Sequence, residues 1–171
     1  TRQTFVLIRW TSGMPRSRKG GSLLKCAQAT LRNARRGTTF MAESLGRGAM
    51  RLRHRVILAL DEVQPARARA VAEAVRPHVD AVKVGWALFL SGGRELVLDL
   101  ARGGYVLGDF RTAEIPNTTR LIVEQVVRLG VSGLITQGFV GEDSVRAAVE
   151  AAQGKDVFVI TEMSHPGGSQ F

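Results

Sequence analysis

Between Arg55 and Thr161, short runs that are apolar throughout alternate with stretches of helical spacing, and this alternation constrains the fold more than any other property of the chain. Val56-Ile57-Leu58-Ala59-Leu60 is the first run and ends at Asp61. Pro65 then opens a helical stretch through Arg76, with Ala68, Val71, Ala72 and Val75 on one face. Val79 to Val84 is the second run, interrupted by Asp80 and Lys83; a helix follows from Trp86 to about Arg102, where Gly103-Gly104 breaks it. Tyr105 to Phe110 reads as the third strand, and Pro116 opens the next helix, through Arg128. Gly133 to Phe139 is the fourth strand and Asp156 to Thr161 the fifth. Between them, Glu142 to Ala152 reads as a helix whose first residues, Asp143 and Ser144, are of the kind that satisfy free amides. Strands that are apolar on both faces are buried on both faces, which requires a parallel sheet covered by helices.

Two architectures satisfy that pattern. A doubly wound sheet would carry a G-x-G-x-x-G turn after the first strand, and none is there. A (β/α)8 TIM barrel places its chemistry at the C-terminal ends of its strands. Polar residues do collect at those ends: Asp61, Lys83, Asp109 with Arg111, Gln137, and Glu162 with Ser164 and His165. The expected fold is therefore an α/β barrel of the TIM type. Eight βα units need roughly 200–250 residues, and 116 follow Arg55. The expectation is an incomplete barrel of about the first five strands over residues 51–171, with two sheet edges exposed.

Composition divides the chain in the same place. The net charge of +9 is uneven: residues 1–55 hold 13 Lys and Arg against one acid, Glu43, while the rest hold 11 basic and 14 acidic side chains. Residues 1–50 show no sustained period, and Met14 to Ser22 is basic, small and rich in chain breakers. Three readings fit this leader. It is a basic arm for nucleic acid, although no reading module accompanies it. It is an Arg- and Ser-rich, acid-poor transit peptide. Or it lies upstream of a natural start at Met41 or Met50, the reading taken forward here, as an irregular leader. No run approaches the roughly 18 apolar residues of a membrane span, so no membrane partner is expected, and nucleic acid is not expected either. The one cysteine, Cys26, provides neither an internal disulfide nor a metal cluster. A reduced thiol fits a cytoplasmic protein.

An ionisable residue inside an apolar strand is costly unless paired. Lys83 lies in Ala81-Val82-Lys83-Val84-Gly85, and Asp109 and Glu114 flank Arg111 in Gly108-Asp109-Phe110-Arg111-Thr112-Ala113-Glu114-Ile115-Pro116. If these strands are neighbours, Lys83 and Asp109 meet at the barrel mouth, with Arg111 on the same face. Such an array fits a structural salt-bridge network. It equally fits decarboxylation, where a carboxylate crowds the departing carboxylate and cations stabilise and protonate the carbanion.

Five segments in order carry a resemblance: Leu58-Ala59-Leu60-Asp61, Val82-Lys83-Val84-Gly85, Asp109 to Thr118, Gln137 to Val145, and Thr161-Glu162-Met163-Ser164-His165-Pro166-Gly167-Gly168. From about Arg55 to Phe171 the chain resembles the orotidine 5′-phosphate decarboxylases, most nearly the compact archaeal type. The resemblance implies conversion of orotidine 5′-phosphate to uridine 5′-phosphate and carbon dioxide, the last step of UMP synthesis, with no cofactor. It implies catalytic roles for Lys83, Asp109, Arg111 and Glu114. Substrate contacts would come from Asp61 and Lys83 at the ribose, from Thr118, and from Ser164 at the pyrimidine. It also implies a homodimer with shared sites, in which Glu114 and Thr118 reach across to the partner. Arg111 stands where the family has a proton-donating lysine, and Glu114 where it has a second aspartate. A guanidinium keeps its proton far above the neutral range and is a poor acid, so Arg111→Lys is expected to raise turnover in any complete version of this protein. The family binds phosphate with loops after strands six to eight, so the chain by itself is expected to be inactive and to bind nucleotide weakly. Two alternatives stay open: a magnesium-dependent sugar-phosphate decarboxylase or aldolase on the same scaffold, and a silent nucleotide-binding homologue.

Overall fold

The computed structural model describes the backbone of residues 2–11 and 39–43 and the whole of residues 56–161. In chain order the elements are β1 (Arg2–Thr11), β2 (Thr39–Glu43), β3 (Val56–Asp61), α1 (Pro65–Val75), β4 (Ala81–Gly85) and α2 (Trp86–Arg102), followed by β5 (Val106–Thr112), α3 (Pro116–Arg128), β6 (Gly133–Gln137), α4 (Glu142–Ala151) and β7 (Asp156–Ile160). The five expected strands are β3 to β7. They form a parallel sheet in sequence order, each linked to the next through a helix.

The apolar strands serve two cores. On the outward face Leu58, Leu60, Val82, Val84, Val106 and Leu134 pack against helix residues Val71, Leu88, Leu96, Val97, Val123 and Ala148. The alternate positions, Ile57, Ala81, Leu107, Ile135, Phe158 and Ile160, pack against one another on the inward face. This two-sided burial is what runs without polar alternation require, and the inward cluster is the filled interior of a partial barrel. Helix α1 buries Ala68, Val71, Ala72 and Val75, the face read from the sequence.

Three features differ from the sequence reading. First, the basic leader contains two strands where no element was expected. β1 pairs in parallel with β3 from Val6↔Val56 to Thr11↔Asp61, and β2 pairs antiparallel with β1. The free edge of β3 offers unpaired backbone groups to any extended segment. Thr4 to Ile8 is rich in β-branched and aromatic residues but too short to show a period. One of the two edges expected to be exposed is thus covered, and the backbone of β2 approaches β7 at the far end of the order. Second, α2 is broken at Gly93, whose φ of 63° and ψ of −167° are not helical. Third, α4 begins at Gly141 with no side-chain cap. Glu142 and Asp143 instead pair with Arg146 one turn on.

Among the described residues, no helix is long and apolar enough to cross a membrane.

Candidate active site

Successive inward positions along each strand build the site in layers. At the base, Tyr105 donates its hydroxyl to Asp156 Oδ2 at 2.6 Å. Burial, followed by that hydrogen bond and the charge of Asp156, pushes the Tyr105 phenol well above its ordinary value. Gly133 leaves the space this needs, since a Cβ there would lie 2.4 Å from the Tyr105 hydroxyl. The apolar layer of Ile57, Ala81, Leu107, Ile135 and Phe158 lies above it. Two residues further along β4 and β5 come Lys83 and Asp109, both buried.

Lys83 and Asp109 form an ion pair, Nζ to Oδ2, with side-chain exposures of 6% and 4%. Arg111 holds the same carboxylate from the rim, its Nε donating to Oδ1 at 3.0 Å and its Nη2 to Oδ2 at 3.4 Å. Asp109 is therefore clamped between two cations. The backbone is bent to achieve this. Gly108 pairs with Leu134 and Thr112 with Thr136, so β5 takes four steps where β6 takes two, a bulge that contains Asp109 and Arg111. Arg111 has a φ of 45°, a left-handed conformation that costs a non-glycine residue about 1–2 kcal/mol. Strand contact resumes beyond the bulge, where Thr136 Oγ1 donates to the Thr112 carbonyl at 2.9 Å.

Phe110, between the two charged residues, points the other way, into the outward core. It meets Trp86 and Phe89 edge-on at 5.0 and 5.4 Å, and Trp86 Nε1 donates to the Phe110 carbonyl at 3.0 Å. This aromatic wedge braces the bulge from behind. Trp86 and Phe89 thus pack α2 against the barrel strand, although Trp86 remains half exposed.

Asp61 ends β3 at the same mouth and is half-buried. Its neighbour Glu62 escaped sequence reasoning. It is fully buried; Oε1 accepts from the amides of Val63 and Gln64 at 2.8 and 3.2 Å, and Oε2 faces Arg67 Nε at 3.1 Å. Glu62 thereby fixes the turn that follows Asp61. The sequence signal was an acid placed just before a proline-opened helix with an arginine in its first turn.

Glu114 is exposed and stands apart from the clamp, and Thr118 is half-buried in the first turn of α3. Glu114 and Ile115 line an open cleft of about 450 Å³ whose far wall is Val140 to Ser144. The structure thus brings Lys83, Asp109 and Arg111 together and leaves Glu114 exposed on the loop beyond β5 and Thr118 half-buried in the first turn of α3. Ser164 and His165 lie outside the described residues.

A family model described as "Orotidine 5′-phosphate decarboxylase / HUMPS family" matches residues 54–171. The orotidine 5′-phosphate decarboxylase of Methanosarcina mazei is 52% identical over 118 residues, covering 68% of this chain and 54% of that protein. The enzyme of the same name from Methanocaldococcus jannaschii is 41% identical over 121 residues, covering 68% and 56%. Its crystal structure complexed with the inhibitor BMP superimposes with a TM-score of 0.64 and 42% identity, over 67% of this chain and 55% of that one. The decarboxylase structure from Pyrococcus horikoshii OT3 gives 0.63 and 37% over the same shares. The chain spans about half the length of the curated relatives it matches. The match of the family model over residues 54–171, with relatives 41% to 52% identical over 68% of the chain, places this chain in the orotidine 5′-phosphate decarboxylase / HUMPS family.

Proposed function

We propose that this chain supplies the charged half of a site that converts orotidine 5′-phosphate to UMP and carbon dioxide, in the cytoplasmic synthesis of pyrimidine nucleotides. The observation that carries this reading is the Asp109 carboxylate, buried between Lys83 and Arg111 at the C-terminal end of a parallel sheet. A substrate carboxylate brought beside Asp109 is repelled. Two unit charges about 4 Å apart interact by about 4 kcal/mol at an effective dielectric of about 20. That repulsion vanishes as neutral carbon dioxide leaves, while the two cations remain to stabilise the carbanion. Binding energy from remote parts of the nucleotide offsets the cost of forcing the carboxylates together. Asp61 and Lys83 serve the ribose in this reading, and Ser164 the pyrimidine.

The reading includes a homodimer in which Glu114 and Thr118 act at the partner's site. Exposed apolar side chains beside them support it: Ile115 is 67% and Phe139 77% exposed. Buried aromatic and aliphatic anchors are what such an interface needs.

The test pairs two measurements on the chain carried within a protein of its relatives' full length, because the chain by itself is expected to be inactive: release of labelled carbon dioxide from carboxyl-labelled orotidine 5′-phosphate, and calorimetric titration with BMP. The expected result is saturable BMP binding with slow turnover that Asp109→Asn abolishes. Absence of BMP binding, or unchanged turnover in Asp109→Asn, overturns the reading.

A further inference from the structure

Decarboxylation leaves an electron pair on carbon, and the cycle closes only when a proton reaches that carbon. On the function proposed above, on which this inference rests, the donor lies at the C-terminal ends of the strands. The ionisable groups placed there among the described residues include Asp61, Glu62, Lys83, Asp109 and Arg111, with Glu114 on the loop beyond β5. Ordinary carboxylates carry no proton near neutral pH, and a guanidinium does not release its own. An ammonium joins positive charge to a dissociable proton. The other lysine among the described residues, Lys155, precedes β7 at the opposite end of the sheet.

The geometry also separates the two cations. Arg111 commits both Nε and Nη2 to Asp109, and its side chain is 34% exposed at the rim. Lys83 touches one carboxylate oxygen from a nearly closed position, and its ammonium has two further N–H bonds to offer.

We propose that Lys83 is the proton donor of this chain's site and that Arg111 serves as a fixed charge holding Asp109. The carbon–carbon bond breaks, carbon dioxide departs and its bonding pair stays on the ring carbon. An N–H bond of Lys83 then breaks, the proton passes to that carbon and the electron pair stays on nitrogen. The neutral amine regains a proton from solvent, so each turnover consumes one solvent proton.

Lys83→Arg keeps the charge and removes the dissociable proton, and its effect is compared in two backgrounds. In the natural background it is expected to lower carbon dioxide release at least about 100-fold, the usual contribution of a positioned acid, while BMP still binds saturably, with whatever affinity the altered ribose contact leaves. In the Arg111→Lys background an amine is restored at the rim, and the same substitution is expected to cost less than about tenfold. Such dependence on background marks two residues that share one task. An equal loss in both backgrounds overturns the proposal, because a donor that an amine at position 111 can replace must cost less where that amine is present. So does a variant with undiminished turnover. Absence of turnover in both the natural and the Arg111→Lys chains, with BMP still bound, also overturns it; loss of BMP binding as well means that the function itself was misread.

Discussion

Tyr105, just before β5, and Asp109 within it lie two inward positions apart, and their surroundings set opposite demands. Asp109 is charged and held by two cations, so removing its charge leaves Lys83 buried beside a neutral group. Losing one partner of a buried ion pair costs about 3–5 kcal/mol. Asp109→Asn, which preserves volume, should lower stability by that amount in a urea titration with little change in slope. Tyr105 is neutral, and burial opposes its ionisation. Below about pH 10, the ordinary tyrosine value, folded and unfolded chains hold the same phenolic proton and stability is unaffected. Above it the unfolded chain releases the proton and the folded chain keeps it. Stability therefore falls with rising pH, by about 1.4 kcal/mol per unit from this group. Tyr105→Phe should lose about 1 kcal/mol at neutral pH with the hydrogen bond to Asp156, yet lack the alkaline slope. Tyr105 is the chain's one tyrosine, so tyrosinate absorbance reports the titration directly. A tyrosinate signal rising near pH 10 ahead of unfolding would contradict this account.

At the scale of elements, most of the barrel half was legible because each strand reads in one period and each helix in another. The limits of α1 and α3 follow from Pro65 and Pro116 at their first positions. The clamp was legible too, because Lys83 and Asp109 interrupt neighbouring apolar strands near the same end, although the register sets Lys83 beside Leu107 and Asp109 beside Gly85. Two kinds of feature were not. The bulge in β5 depends on how β6 pairs with it, which no local pattern in Gly108 to Thr112 records. The strands in the leader depend on a vacant edge elsewhere in the chain. The break in α2 was within reach, since Ser91-Gly92-Gly93 is a poor helix interior. Gly93 lies in a region of backbone space open almost only to glycine. Gly93→Ala should therefore destabilise the protein by about 1–3 kcal/mol, although a Cβ there would meet nothing within 4 Å. Thermal denaturation checks it. An unchanged melting temperature would show that the helix is continuous.

At the scale of the whole molecule, the sheet runs β2-β1-β3-β4-β5-β6-β7 and curls until its end strands approach. The clamp is held inside that curl, while Glu114, Ile115 and Phe139 lie exposed around its mouth. An acid so close in sequence to the clamp and so far from it in exposure has a use if a second copy brings its own mouth against this one. In a twofold dimer every site then draws Asp109 from one subunit and Glu114 from the other. Asp109→Asn and Glu114→Gln should each be nearly inactive alone. When the two are mixed and allowed to exchange subunits, half of the dimers are hybrids. Each hybrid holds one site that carries both defects and one that carries neither. The mixture should regain about one quarter of the natural rate, on a timescale set by dimer dissociation. Had Glu114 acted within its own subunit, every site in the mixture would keep one defect, and the rate would stay at the average of the two parents.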